Sequence, residues 1–186
     1  AFINRLHSYI EEIKSSTIKD GLHILGEPAT GERCATLIHA LMRIDNCNMM
    51  AAEKAVGKAL GYEIEKLKEN PHFSQNGVTN LMIMDNIRNI TLNIIKDILF
   101  KNLKDEYSGY KVKEKKYLLS LKKNILETVL PKINGTARET ESTIKGANGK
   151  FIPPGQSGCP TRGNINILPT GTNFYAIDPN KIPSRA

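Results

Sequence analysis

Residues 79–104 read TNLMIMDNIRNITLNIIKDILFKNLK, and this stretch decides the fold class. Its isoleucines recur with the period of an α-helix, which places them on one helical face: Ile83, Ile87, Ile90, Ile94 and Ile98, with Met84, Ile95 and Leu99 beside them. Thr79 is of the type that caps a helix N-terminus. An apolar stripe of this width predicts a helix that is central to the core.

The same periodicity predicts further helices on both sides of this stretch. They are expected over residues 2–16, 32–45, 49–61, 63–69, 113–131 and 136–145, with residues 70–77 as a loop. The inward residues of the second of these helices are predicted to be Leu37, Ile38, Leu41, Met42 and Ile44.

Local signals predict where several of these helices begin and end. Gly61 is expected to end the alanine-rich helix over residues 49–61. Pro131 is expected to end its helix or kink the last turn, because proline lacks the N–H that a helix interior needs. Thr136 with Glu139 three residues later has the capping-box spacing and predicts the start of the last helix.

Residues 146–186, called the strap below, read GANGKFIPPGQSGCPTRGNINILPTGTNFYAIDPNKIPSRA and show no helical or strand period. Such a long irregular segment is either disordered or functional. Its large apolar residues, among them Phe151, Ile165 and Phe174, favour an ordered strap. The predicted fold is therefore mainly α: a multi-helix domain over residues 1–145, followed by an extended, irregular Pro/Gly-rich strap that packs on the helices as one structural unit.

The composition excludes several classes of protein. The formal net charge of +7 would suit a helical domain that binds nucleic acid, but the lysines alternate with acids, and neither an aromatic platform nor a nucleic-acid motif is present. Apolar runs are too short for a membrane span. Cys34, Cys47 and Cys159 are odd in number and irregularly spaced, which favours a reducing, cytoplasmic location over a disulfide framework.

Two histidines and one glutamate near the N-terminus are candidates for metal chemistry. His7 and His23 offer nitrogen ligands for a divalent transition metal, and Glu27 lies close enough in sequence to His23 to add a carboxylate. The alternative is that each histidine is simply a packed or surface residue, because no metal-binding spacing relates them.

The strap carries a second set of candidates. Thr161 and Arg162 place a hydroxyl and a guanidinium beside a flexible glycine, and guanidinium groups bind carboxylates bidentately. Thr170, Asn173 and Tyr175 can form hydrogen bonds around a turn at Gly171. The alternative is that this turn only seats the strap on the helices.

The strap closely resembles a segment of the large subunit of cobaltochelatase and of its relative in magnesium chelatase. The family pattern runs G-(K/R)-(Y/F)-(V/I)-P-P-G-P-x-G-x-P-T-R, then L-P-T-G-(R/K)-N, then D-P and (V/I)-P-T. The matching residues are Pro153, Pro154, Gly155, Gly158, Pro160, Thr161, Arg162, Leu168, Pro169, Thr170, Gly171, Asn173, Asp178, Pro179 and Pro183. Near the N-terminus, DGLHILGE resembles the cobalt-type form.

Two features of the resemblance favour the cobalt branch. They are DGLHILG and the run Asn173-Phe174-Tyr175, where the magnesium type usually has N-I-H. Three positions depart from the pattern: Thr172 replaces Arg or Lys, Gln156 replaces Pro, and Ser184 replaces Thr. The family subunit is several times longer than this chain, so the resemblance implies a fragment.

The resemblance implies an ATP-dependent metal chelatase that inserts Co²⁺ into a corrin-precursor macrocycle, with a magnesium- or nickel-type chelatase as the alternative metal assignment. It implies a tetrapyrrole substrate, ATPase partner subunits and the remainder of the same large subunit as partners. ATP is handled by those partners, in agreement with the lack of a P-loop motif here.

Within that mechanism, the site residues take distinct roles. His7 and His23 would bind the metal, and His23 with Glu27 would act in catalysis. Thr161, Arg162, Thr170, Asn173 and Tyr175 would bind the substrate. A different class of function also remains open, namely a structural or assembly module that docks the ATPase subunits and is inactive as an isolated fragment.

Overall fold

The computed structural model describes residues 24–46, 48–101, 110–158, 160 and 164–173. Most of these residues are helical, which confirms the prediction of a mainly α fold. The described helices are α1 (Gly31–Leu41), α2 (Ala52–Leu60), α3 (Ile64–Glu69), α4 (Asn80–Phe100), α5 (Lys115–Asn124), α6 (Leu130–Asn134) and α7 (Glu139–Ala147). None of them is long and apolar enough to cross a bilayer. The predicted helix over residues 2–16 lies outside the described residues.

Helix α4 lies at the centre of the core, as its isoleucine stripe predicts. It contacts α1, α2 and α3, while α5 packs on α2. The side chains of Ile87, Ile94, Ile95 and Ile98 are buried along this face. Thr79 caps the helix, as predicted: its Oγ1 accepts a hydrogen bond from the backbone N–H of Met82 at 3.2 Å.

Helix α2 packs closely because its buried face consists mostly of small residues. Ala52, Ala55 and Ala59 are at most 3 % exposed, so neighbouring helices approach its backbone. The helix ends at Gly61, whose φ of +88° is the left-handed conformation that glycine adopts without a steric penalty. The predicted closure at Gly61 is therefore confirmed.

A short hairpin replaces part of the predicted loop over residues 70–77. Strand β1 (Ser74–Gln75) pairs antiparallel with β2 (Val78–Thr79). The two connecting residues both have positive φ, +52° at Asn76 and +78° at Gly77. Asn-Gly is the dipeptide that two-residue hairpins prefer for this geometry. The prediction of a loop is therefore wrong at Ser74–Gln75, where the Asn-Gly dipeptide that follows favours a hairpin.

The predicted burial of Ile44 is also wrong. Helix α1 ends at Leu41, short of the predicted end at residue 45, and Ile44 is 47 % exposed. Of the other residues predicted to face inward, Ile38, Leu41 and Met42 are buried, and Leu37 is partly buried against the core.

Helical structure continues without a loop from Lys115 to Ala147, so the predicted end at Pro131 is wrong. A π-helical turn (Ile125–Val129) joins α5 to α6, and a 3₁₀ turn (Gly135–Arg138) joins α6 to α7. Pro131 lies in the first turn of α6, where a missing N–H is tolerated best. Four apolar residues of this segment, spaced with the helical period, are buried: Leu118, Leu121, Ile125 and Val129.

Charged groups line the rim of the core where α1, α2 and α4 meet. Oε1 of Glu53 lies 3.2 Å from His39 Nε2 and 3.2 Å from Arg88 Nε. The contact with His39 lowers the pKa of Glu53 most, and the contact with Arg88 lowers it further. Partial burial acts in the opposite direction, but the pKa remains below its usual value. These three side chains tie the three helices together at the surface.

Candidate functional site

The described part of the strap runs along the helical segment that contains α6, the 3₁₀ turn and the start of α7. Its own 3₁₀ turn (Ile165–Ile167) buries Ile165 and Ile167. Lys132 Nζ donates to Asn166 Oδ1 at 3.0 Å and also lies 3.4 Å from the Ile165 carbonyl oxygen. This contact fixes the strap at the level of α6.

Two further contacts between the strap and the same helical segment follow. Pro169 packs on Gly135, where an added Cβ would lie only 2.6 Å from the proline Cβ. Thr170 Oγ1 donates to Thr136 Oγ1 at 3.2 Å. The strap therefore lies in a groove whose floor is the helix, and small residues let the two backbones approach closely.

Gly171 packs closely against the backbone of Glu139. Its φ is +83°, and a Cβ added there would lie 2.9 Å from the Cα of Glu139. Both features exclude a side chain at this position, since the left-handed conformation is unfavourable for other residues and the space is occupied. The glycine of LPTGTN is thus required by the contact between strap and helix.

The strap also closes on itself beyond this turn. The backbone N–H of Gly155 donates to the Asn173 carbonyl, and the N–H of Asn173 donates to the Pro153 carbonyl, both at 2.9 Å. Thr172 packs directly on Gly155, which leaves no space there for a Cβ. Two separate parts of the sequence motif, PPG and LPTGTN, are therefore held side by side.

A cavity of about 220 Å³ opens between these two parts of the strap and helix α7. It is lined by Glu139, Gln156, Ser157, Gly158, Ile167, Thr170, Gly171 and Thr172. Sites for complete small ligands typically begin at about 300 Å³. The described walls thus fit one edge or one substituent of a large ligand, and they offer hydroxyl and amide groups for hydrogen bonding.

Glu139 connects this groove to the N-terminal segment of the chain. Its side chain is buried, with 6 % of the residue exposed, and its Oε2 accepts a hydrogen bond from the backbone N–H of Gly26 at 2.9 Å. The predicted capping box is wrong, because the Glu139 carboxylate reaches a residue 113 positions away and the hydroxyl of Thr136 contacts the strap. No local signal in the sequence indicates this role for Glu139.

Three of the predicted site residues fall within the described part of the chain. Thr170 and Asn173 lie together in the strap, where Thr170 lines the cavity and Asn173 forms the backbone bridge. Glu27 is exposed and directly follows Gly26, the residue bound to Glu139. The structure thus brings the backbone of Gly26, in the described end of the DGLHILGE segment, to the helix on which the strap lies.

The other predicted site residues, His7, His23, Thr161, Arg162 and Tyr175, lie outside the described residues. Across the ranges that the structure does describe, no three side chains of His, Cys, Asp or Glu come together as a metal site. A larger cavity, of about 380 Å³, lies at the end of α4 beside Phe100, Lys101 and Tyr110, and contains none of the motif residues.

Comparison with known proteins agrees with this arrangement of motifs. The model of the CobN/magnesium chelatase family matches residues 1–186. An uncharacterised protein of Methanocaldococcus jannaschii is 32% identical over 187 residues, which cover 99% of this chain and 14% of that protein. The aerobic cobaltochelatase subunit CobN of Pseudomonas aeruginosa is 24% identical over 196 residues, which cover 99% of this chain and 16% of that subunit.

A solved structure shares both sequence and fold with the chain. It is the catalytic subunit of cobaltochelatase from Mycobacterium tuberculosis, with a TM-score of 0.60 and 28% identity, covering 89% of this chain and 13% of that one. The chain thus spans only 13% to 16% of the length of these three relatives. The resemblance predicted from the strap and DGLHILG is confirmed, and the chain belongs to the CobN/magnesium chelatase family.

Proposed function

We propose that this chain is part of the tetrapyrrole- and metal-binding large subunit of an ATP-dependent cobaltochelatase. The subunit inserts Co²⁺ into a corrin-precursor macrocycle during cobalamin biosynthesis, in the cytoplasm. The observation that carries this proposal is the groove in which PPG and LPTGTN lie side by side over helix α7 and leave a small polar cavity. Residues 1–145 and the strap act there as one unit of a longer subunit.

The cavity supports a role in holding one edge of the macrocycle. Thr170 lines the cavity. Thr161, Asn173 and Tyr175 of the same strap are the other hydrogen-bonding residues that we assign to the macrocycle. Arg162 pairs with a carboxylate on the rim of the substrate, because a guanidinium binds carboxylate bidentately. These five residues determine the position and the orientation of the ring.

Metal insertion requires that Co²⁺ loses its waters and that the inner N–H protons leave the macrocycle as its four ring nitrogens bind the metal. Imidazole nitrogens of His7 and His23 suit the delivery of a divalent transition metal. His23 and Glu27 suit the uptake of the released protons. The hydrogen bond between Gly26 and Glu139 supports this assignment, since it brings the backbone beside Glu27 to the groove.

The cobalt assignment rests on DGLHILG and on Asn173-Phe174-Tyr175. A magnesium- or nickel-type reaction uses the same groove, so the metal is determined by comparing Co²⁺, Mg²⁺ and Ni²⁺ as substrates. The assay contains the full-length subunit, its ATPase partners, ATP and the tetrapyrrole, and it records the absorbance change of metal insertion. Faster insertion of Mg²⁺ or Ni²⁺ than of Co²⁺ would contradict the cobalt assignment.

Two substitutions in the full-length subunit test the residue roles. Arg162→Ala is expected to raise the tetrapyrrole dissociation constant by about tenfold or more, the effect of losing a charged hydrogen bond. His23→Ala is expected to slow insertion while tetrapyrrole binding persists. Arg43→Ala and His72→Ala are the matched controls, because both residues are exposed and lie outside the groove. Wild-type behaviour of the Arg162 and His23 variants would remove these residues from the site.

A second candidate function is an assembly module that docks the ATPase subunits. The segment that leads into α5 favours it, since Lys111, Lys113 and Lys115 are exposed there within five residues. Pull-down of the ATPase subunits by the full-length protein, run beside a tetrapyrrole titration, separates the two functions. ATPase binding without any tetrapyrrole response would favour the assembly module.

A further inference from the structure

Glu139 is unusual because it is charged and buried. Throughout the described ranges, 24–46, 48–101, 110–158, 160 and 164–173, it is the one charged residue in the buried class. A carboxylate that leaves water needs hydrogen bonds in its new surroundings, since an uncompensated buried charge is strongly unfavourable. The residues around Glu139 must therefore supply hydrogen bonds to its carboxylate.

Its side chain holds the N-terminal segment. Oε2 accepts the backbone N–H of Gly26 at 2.9 Å, and hydrogen bonds to an ionised acceptor are stronger than neutral ones. Gly26 has a φ of +74°, and its Cα faces the Thr140 side chain so closely that no Cβ fits. The segment can approach α7 in this way only because residue 26 is glycine.

Its backbone holds the strap. Gly171 packs mainly against the Glu139 main chain, where an added Cβ would lie 2.9 Å from Cα, 3.1 Å from N and 3.2 Å from the side-chain Cγ. The contact with the strap therefore depends on the helix backbone, whereas the contact with Gly26 depends on the carboxylate. Glu139→Ala therefore removes the hydrogen bond to Gly26 and leaves the backbone contact with Gly171 in place.

We propose that Glu139 is a positioning residue that holds the segment containing Gly26 and Glu27 in register with the strap bearing Thr170 and Asn173. The inference rests on the proposed function, because it assigns metal delivery and proton uptake to the first segment and macrocycle binding to the second. Glu139 acts through Gly26 and its neighbours, not by contact with the reacting atoms.

The test uses the full-length subunit in the assembled chelatase with Glu139→Ala and Glu139→Gln. Glu139→Ala is expected to lower kcat for metal insertion by about tenfold or more, the size of effect that misplaced groups produce. The tetrapyrrole dissociation constant is expected to change by less than about threefold, because the strap keeps its backbone contact. Glu139→Gln is expected to restore kcat to within about threefold, because its amide oxygen still accepts the Gly26 N–H.

Glu141→Ala is the matched control, since Glu141 lies two residues further along α7, is exposed and pairs with Lys145 at the surface. Wild-type kinetics of Glu139→Ala would overturn the inference. A Gln variant as slow as the Ala variant would also overturn it, because the charge itself would then be used. A wild-type subunit that binds no tetrapyrrole would instead overturn the proposed function, and the inference with it.

A double substitution provides a second, independent measurement. Gly26→Ala pushes the N-terminal segment away from α7 because of the Thr140 contact, so it breaks the same link from the other side. The kcat of Gly26→Ala/Glu139→Ala is expected to match that of Glu139→Ala alone, as for two groups that act as a unit. Losses that multiply would show that the two residues act separately and would overturn the inference.

Discussion

The helical core around α4 and the groove beneath the strap are held by different kinds of contact. The core is filled by branched and small apolar side chains, and its buried Thr91 satisfies its hydroxyl within α4 by donating to the Ile87 carbonyl at 2.7 Å. The groove is held by polar contacts between segments far apart in sequence, such as Thr170 with Thr136 and Gly26 with Glu139. The core therefore depends on apolar volume, whereas the groove depends on polar contacts between distant segments and on glycines where the backbones meet.

The largest effect on stability is expected from a cavity in the core. Ile94→Ala should lower the free energy of unfolding by about 2–5 kcal/mol, because it removes a fully buried side chain from α4. Urea or thermal unfolding measures the change. Leu119→Ala is the control, since Leu119 is 45 % exposed and its replacement should cost no more than about 0.5 kcal/mol. Equal effects of the two substitutions would contradict the central position of α4.

A smaller effect on stability is expected in the groove, with a larger effect on binding. Gly171→Ala should cost about 1–3 kcal/mol, because alanine must adopt a φ of +83° against the Glu139 backbone. The displaced strap should also weaken tetrapyrrole binding by the full-length subunit.

Gly149→Ala is the matched control for this substitution. Gly149 also has a positive φ, +66°, but nothing lies within 4 Å of an added Cβ. Its replacement should cost about 1 kcal/mol through backbone conformation alone and leave tetrapyrrole affinity unchanged. Equal losses of stability and affinity in both variants would show that the contact with Glu139 does not position the strap.

The smallest effect is expected at the rim of the core, and it depends on pH. The pKa of Glu53 is lowered in the folded protein, so this carboxylate stabilises the fold above its unfolded pKa, and the contribution is lost as the pH falls through the folded value. Glu53→Gln should therefore reduce stability by about 1 kcal/mol or less at pH 7 and have little effect at pH 3. Urea midpoints at both pH values measure this, with Glu65→Gln, on an exposed residue, as control. A larger loss at pH 3 than at pH 7 would contradict the assignment.

The core could be predicted largely from the sequence because the patterns that determine its helices are local. The isoleucine period of α4, the Thr79 cap and the Gly61 closure each depend on residues within one or two turns. The errors in this part have local causes too: the Asn76-Gly77 dipeptide forms a hairpin turn within the predicted loop, and the apolar periodicity continues to Ile44, past the end of α1.

The groove could be predicted only in part, since its contacts join distant segments. The motif residues of the strap indicate the family, but no local pattern relates Gly26 to Glu139 or Pro169 to Gly135. Glu139 illustrates the limit: its spacing from Thr136 resembles a capping box, while the folded chain uses both side chains for long-range contacts. Such a role emerges only when the three-dimensional structure brings the segments together.

The central claim is that the groove holds one edge of a tetrapyrrole, and an absorbance titration of the full-length subunit tests it most directly. The wild-type subunit and its Gly149→Ala variant should give saturable spectral changes with the same dissociation constant. Gly171→Ala should raise that constant by about tenfold, as expected from a cost near 1.4 kcal/mol. Equal tetrapyrrole affinity in all three proteins would contradict the claim.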